Sequence, residues 1–180
     1  RVSPNVLTWL SLLLSALCGL SFFLSKGSPL MLLWALVFLV LAGLADALDG
    51  ATARILHRQG RRGDLLDHVI DRYSDVLILC GVIFGGYVPM WVGILALTGV
   101  LLTSYVGVQA QAVMLGRIYG GLMGRADRLV VLILAIPLNL VYPHELLWLP
   151  PLGWALVFIG VMSHITAAQR LHLTWKMLDE

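Results

Sequence analysis

The residues able to do chemistry in this chain are crowded into one short stretch. Of its ten acidic residues, Asp46, Asp49, Asp64, Asp67, Asp71 and Asp75 lie together, with long apolar runs on both sides. Ionisable groups set between apolar spans are costly to keep and are functional candidates by default. Asp46 and Asp49 are three apart and Asp67 and Asp71 four apart, so each pair shares one face of a helix. The connection between the two helices is short, which makes them antiparallel neighbours whose carboxylate faces can converge. Four converging carboxylates repel one another unless something positive sits between them. Clustered hard oxygen ligands suit Mg2+, Mn2+ or Ca2+, not zinc or copper. Two ions about 4 Å apart, clamping a phosphate, is the usual use of such a set. The competing reading is a structural network of Asp–Arg pairs with Arg54, Arg58 and Arg72, but buried ion pairs are a poor way to stabilise a helix hairpin.

Small residues complete the pattern. Gly50 directly follows Asp49 and Gly63 precedes the third helix, and both let a ligand approach the backbone closely. Gly63 also turns the N-terminus of that helix toward the site, which favours a bound phosphate. Ala53, one turn from Asp49, leaves room for a flat group.

The elements that must hold these residues are membrane helices. Hydrophobic residues make up 59% of the chain and charged ones 12%, whereas a soluble domain carries about a quarter charged residues. Apolar runs at Val6–Leu24, Pro29–Leu48, Leu65–Gly86, Met90–Met114, Leu129–Val141 and Leu149–Ala168 are each near the ~20 residues that cross a bilayer as a helix. The strict alternation of a membrane barrel is absent. Gly- and Pro-containing turns separate the runs. The expectation is an all-α integral membrane protein with six transmembrane helices, forming one domain over residues 1–180. With six spans, Arg1, Arg54, Arg58, Arg61, Arg62, Arg72, Arg117, Arg125, Arg128, Arg170 and Lys176 gather on or near one side and only Lys26 faces the other. The positive-inside rule then puts both termini in the cytoplasm, in a cell membrane, with the active site at the cytoplasmic end of helices 2 and 3.

Composition also excludes. A net charge of +2 and the lack of a basic stripe with aromatics argue against a nucleic-acid partner. Cys18 and Cys80 fall inside apolar spans, so neither a disulfide framework nor a zinc site is expected. The first run reads as a retained span and not as a signal peptide. The start at Arg1 without Met suggests that a short N-terminal piece precedes it.

Taken together, Asp46-Ala-Leu-Asp49-Gly50-Ala-Thr-Ala53-Arg54, eight residues, Gly63, three residues, Asp67, three residues and Asp71 resembles the signature of the CDP-alcohol phosphotransferase family at all eight defining positions. The resemblance covers the whole chain, including Pro4-Asn5 and Thr8 before the first span. It implies that Asp46, Asp49 and Asp67 coordinate one Mg2+ or Mn2+ ion, and that Asp46 and Asp67 bridge to a second that Asp71 also touches. Ca2+ can occupy the same sites. It implies that Asp71 is the general base toward the acceptor hydroxyl, and that Asn5, Thr8, Asp46, Gly50, Ala53, Arg54 and Gly63 hold the CDP group. A CDP-linked lipid or alcohol would be the donor, a small polar alcohol the acceptor and CMP the leaving group, in phospholipid biosynthesis. Homodimerisation is carried by the same analogy, and small residues such as Gly81, Gly85 and Gly93 allow close helix packing.

Ser104-Tyr105, Ala110, Ala112 and the stretch Gly121–Leu129 look like the phosphatidylinositol-phosphate and archaetidylinositol-phosphate synthase branch. That branch implies inositol phosphate as acceptor, with Arg125 and Arg170 matching two of its basic residues. Gly107 and Gln109 stand where two others are found, so glycerol phosphate and a neutral polyol stay open, as does a soluble CDP-alcohol donor. Arg125 and Arg128 also fit interfacial anchoring. Asp127 reads as a pairing partner for one of them, Asp75 as a partner for Arg72, and His164 as a satisfied core histidine. Trp9, Trp91, Trp148 and Trp175 read as interface-belt aromatics. Two other classes compete with the transferase. An ion pathway would spread its acids across the membrane, and a silent scaffold would be expected to have lost an aspartate.

Overall fold

The computed structural model describes residues 4–55, 61–113, 116 and 120–179, with side chains over 6–51, 62–113, 116 and 120–179. Among them are six helices: α1 (Pro4–Leu24), α2 (Leu30–Ile55), α3 (Arg61–Phe84), α4 (Met90–Ala112), α5 (Arg125–Val141) and α6 (Pro151–Asp179). The only extended pairing among the described residues is a lone bridge between Leu146 and Leu149. The all-helical expectation therefore stands. Four helices are long and apolar enough to cross a membrane: Val6–Leu24, Leu30–Ala51, Met90–Ala112 and Pro151–Asp179. The other two fall short for different reasons. The first half of α3 carries Asp64, Asp67 and Asp71 with Arg61, Arg62 and Arg72, and α5 has 17 residues, about 26 Å of helix against a ~30 Å hydrocarbon core. Large apolar side chains such as Leu13, Phe23, Leu44, Ile94 and Phe158 stay exposed on the spans, as lipid-facing surfaces do.

The helices extend beyond the apolar runs. Helix α2 continues to Ile55, so the whole Asp46–Arg54 segment is helical. Helix α3 begins at Arg61, which puts Gly63 inside its first turn and not ahead of it. Helix α5 begins at Arg125, before its apolar run, and α6 runs on to Asp179.

The chain divides into two compact units, Arg1–Tyr87 and Val88–Glu180. In the first, α1 packs along both α2 and α3. Gly19 and Gly81 let α1 and α3 touch backbone to backbone, because a Cβ on either would overlap the other helix's main chain. Gly85 sits the same way against the Phe22 carbonyl. Hydroxyls on α1 are satisfied locally: Ser15 Oγ donates to the Ser11 carbonyl and Ser21 Oγ to that of Leu17, each at 2.8 Å. Cys18 is buried and Cys80 partly so, and both are free thiols. At the far end of α1, Ser25 donates to the Phe22 carbonyl and Tyr87 closes on the same hydroxyl.

In the second unit α6 packs against α4 and α5. Gly99 meets the Gly160 carbonyl and the His164 ring, and Gly160 meets Ala96. Thr103 donates to the Ser163 carbonyl at 2.7 Å. The His164 ring nitrogen lies 3.1 Å from the Leu95 carbonyl, as a satisfied core histidine should. Pro151 opens α6, and the orphan N–H of Leu152 is taken by the buried Asn139 side chain of α5 at 3.1 Å, which satisfies one of the donors a helix start leaves free.

Candidate active site

The acidic residues divide between two helices of the first unit. Asp46 and Asp49 sit on α2, one turn apart on a common face, and Asp49 is buried to 6% exposure. A carboxylate this deep needs a donor, and the buried Thr8 hydroxyl of α1 donates to Asp49 Oδ2. Sequence reading placed Thr8 with the CDP pocket. The structure gives it a second task, holding a carboxylate forty-one positions away in the chain.

Helix α3 supplies the denser group. Asp67, His68 and Asp71 each bring a ligand atom within 4.8 Å of the others. Asp46 and Asp49 fall outside that group. Asp71 is the better buried of the two carboxylates in this group, 13% exposed at its side chain against 40% for Asp67. Arg72 Nη2 lies 3.4 Å from Asp71 Oδ2, and Nη1 lies 4.0 Å from Asp75 Oδ2, so Asp75 does face Arg72 as expected. On the opposite flank His68 Nε2 lies 3.1 Å from Asp64 Oδ1, and Nδ1 lies 3.8 Å from Asp67 Oδ2. Sequence reading passed over His68. The signal was present, since His68 stands four residues after Asp64 and one after Asp67.

This donor set fits a hard divalent cation. Carboxylate oxygens predominate, and two of them already approach within a span that one ion can bridge. Around the Cβ position of Gly63, in the first turn of α3, no described heavy atom outside that stretch of helix comes within 4 Å. Gly50 is half-buried beside Asp49. The side chains of Asn5, Ala53 and Arg54, also expected at the CDP group, lie outside the described residues.

The residues expected at the acceptor belong to the second unit. Arg125 is the first residue of α5, following Gly124, whose N–H donates to Asp127 Oδ2 at 2.7 Å. Asp127 therefore caps its own helix, where the dipole favours an anion. Arg170 Nε donates to the Gly120 carbonyl at 2.7 Å and Nη1 to the Thr103 carbonyl at 2.8 Å. Thr166 binds the Met123 N–H at 2.9 Å, so the segment 120–124 is tied to α6 at two points. Arg128, read as an interfacial anchor, is instead buried at 4% exposure. Gly107 is buried and Gln109 exposed on α4. Trp9, Trp91, Trp148 and Trp175 all stay exposed, with Trp91 stacked on Trp148.

The sequence matches the CDP-alcohol phosphatidyltransferase family over residues 1–167. It is 32% identical over 178 residues to the archaetidylinositol phosphate synthase of Pyrococcus horikoshii, covering 99% of this chain and 86% of that one. The phosphatidylinositol phosphate synthase of Mycobacterium tuberculosis, solved with CDP-DAG bound, has a TM-score of 0.79 and 28% identity, over 97% of this chain and 87% of that one. The same enzyme with manganese and citrate has a TM-score of 0.81 and 27% identity, over 97% and 83%. The cation that suits the carboxylates is accordingly Mg2+ or Mn2+. The chain is an integral membrane protein and a transferase, and it belongs to the CDP-alcohol phosphatidyltransferase family.

Proposed function

We propose that this protein transfers a phosphatidyl-type group from a CDP-linked lipid, CDP-diacylglycerol or an ether-lipid counterpart, to a hydroxyl of a small phosphorylated polyol such as inositol phosphate, with release of CMP. One observation carries the reading: the complete family motif lies on α2 and the opening turns of α3, and it brings Asp67 and Asp71 together there. The names of the relatives support inositol phosphate as acceptor.

On this reading Asp46, Asp49, Asp67 and Asp71 hold two divalent ions. When bound, these ions supply charge neutralisation at the pyrophosphate. Thr8 keeps Asp49 oriented through its hydrogen bond. Asn5, Thr8, Asp46, Gly50, Ala53, Arg54 and Gly63 receive the CDP group. Asp71 takes the proton from the attacking hydroxyl at a carboxylate oxygen, with Arg72 flanking it on one side. A carboxylate near its ordinary pKa of ~4 is a weak base for an alcohol, so it acts as the new bond forms and the hydroxyl acidifies. The alcohol oxygen joins the lipid-side phosphorus as the bond to CMP breaks. Most of the rate then comes from placement and electrostatics.

Arg125 and Arg170 are assigned to the acceptor phosphate. A neutral polyol is the second reading, because the buried Gly107 and the uncharged Gln109 stand where the branch has further basic residues. We assign all six helices to the membrane, both termini and the aspartates to its cytoplasmic edge, and the assembly to a homodimer. The arginine distribution supports the orientation. The two compact units are taken to serve one catalytic domain, since the family match runs through both.

The test is CMP release by detergent-purified protein with CDP-diacylglycerol and Mg2+, adding inositol phosphate, glycerol phosphate, inositol and serine in turn. Stimulation by inositol phosphate that chelator abolishes is the expected result. Stimulation by inositol alone would establish the neutral-polyol reading, and silence with every acceptor would move the donor to an ether lipid or a soluble CDP-alcohol.

A further inference from the structure

Thr166 does more than its own helix needs. It is fully buried on α6. Its hydroxyl donates to the Met162 carbonyl one turn back at 2.8 Å and accepts the Met123 N–H at 2.9 Å. A hydroxyl has one proton to give, so with that proton committed to Met162 it serves the neighbouring segment as an acceptor. Met123 is 2% exposed, and its buried N–H needs such a partner. The Thr166 methyl meets the same segment. A Cβ on Gly121 would overlap that methyl, and Gly121 holds φ +123°, a conformation that glycine adopts readily. Hydroxyl and methyl thus grip residues two apart. One residue, Gly124, then separates Met123 from Arg125 at the start of α5. Gly124 is held from the helix side, with its N–H on Asp127 and its carbonyl on the Arg128 N–H at 3.3 Å. The place of Arg125 is therefore referred to Thr166.

We infer that Thr166 is a positioning residue for the acceptor: through Met123 and Gly121 it fixes where α5 starts, and so where Arg125 meets the acceptor's phosphate. The inference rests on the acceptor role proposed for Arg125 and adds the residue that places it. Thr166 acts only through that placement and touches no substrate. Misplacing a binding group by about 1 Å can cost up to about 100-fold. Arg170 also ties this segment to α6, through the Gly120 carbonyl. It is assigned to the acceptor itself, so Thr166 is the residue that separates placement from contact.

The test is steady-state CMP release by the detergent-purified protein with CDP-diacylglycerol and Mg2+, varying inositol phosphate and then the donor. Thr166→Val keeps the methyl and removes the hydrogen-bond acceptor. It should raise the inositol phosphate KM about tenfold, with donor KM and kcat within about twofold of wild type. Thr166→Ala removes the same acceptor without added bulk, should show the same split, and decides if Thr166→Val does not fold. Thr166→Ser keeps the hydroxyl and should stay within about threefold of the wild-type KM. Because the effect passes through Arg125, Thr166→Val combined with Arg125→Ala should raise that KM no further than Arg125→Ala alone. An unchanged inositol phosphate KM, an equal rise in donor KM, or an additive double variant would overturn the positioning role. The acceptor reading would stand in those cases, provided Arg125→Ala alone still raises the inositol phosphate KM. If Arg125→Ala leaves it unchanged, or inositol phosphate fails to stimulate the wild type, that reading falls and the role of Thr166 with it.

Discussion

The two compact units are built alike and equipped differently. Each uses one helix as a spine, α1 in the first and α6 in the second, and each brings helices together over glycine: Gly19 on Gly81, and Gly99 on Gly160. The first unit holds all six clustered acids, and the hydroxyl of its spine helix reaches one of them directly. The second has a single acid in its helix starts, Asp127, which is spent on capping α5. Its polar side chains are turned to backbone: Arg170 to two carbonyls, Thr103 to a third, Asn139 to an orphan N–H. Similar packing thus supports two different characters: acids gathered on α2 and α3 in one unit, polar side chains turned to backbone in the other.

Mutations that separate these characters test the contrast. The largest effect is expected from Asp71→Asn, which should lower the rate of CMP release by about 10²–10⁴-fold while CDP-donor binding stays nearly intact. Retention of most activity would remove Asp71 as base. Gly81→Leu comes next. It drives a side chain into the Gly19 backbone and should cost about 1–3 kcal/mol, seen as a lower melting temperature in detergent. Thr8→Val keeps the shape but removes the donor to Asp49, and Mn2+ affinity should fall about tenfold. An unchanged affinity would mean that Asp49 does not depend on α1.

In the second unit, Arg125→Ala should raise the acceptor KM by about tenfold with donor KM unchanged, the loss of one charge-assisted contact. A weakened donor KM would erase the proposed division of labour. The smallest effect is expected for Asn139→Ala, about 1 kcal/mol of stability from a lost helix cap with turnover per folded molecule unaltered.

Local chemistry was readable from sequence because the motif residues lie at helical spacing. Asp46/Asp49 and Asp67/Asp71 each had to share a face once helices were inferred, and α2 and α3 bear that out. Helix ends were harder. The apolar runs mark where a chain meets hydrocarbon, but the backbone stays helical past that edge, into Thr52–Arg54, Arg61–Asp64 and the polar end of α6. Partners distant in sequence were hidden for a different reason. Nothing in the composition of α1 says that Thr8 meets Asp49, or that Gly19 and not another small residue meets Gly81. Arg128 looked like an anchor because arginine near a span usually is one, and its burial depends on tertiary packing that no local pattern encodes.

Helix α6 begins at Pro151 and carries Arg170 nineteen residues later, about 29 Å along a continuous rod. That is close to the thickness of the hydrocarbon layer, so the helix acts as a ruler whose zero is fixed by Asn139 and whose graduation is Arg170. A one-residue insertion between them would turn the guanidinium by about 100° and lift it by about 1.5 Å, off both carbonyls that now receive it. Bilayer thickness enters through the same scale. A membrane several ångströms thicker would draw the charged end of the ruler toward lipid, and its resistance to that submersion ties the height of the 120–124 segment to the membrane surface.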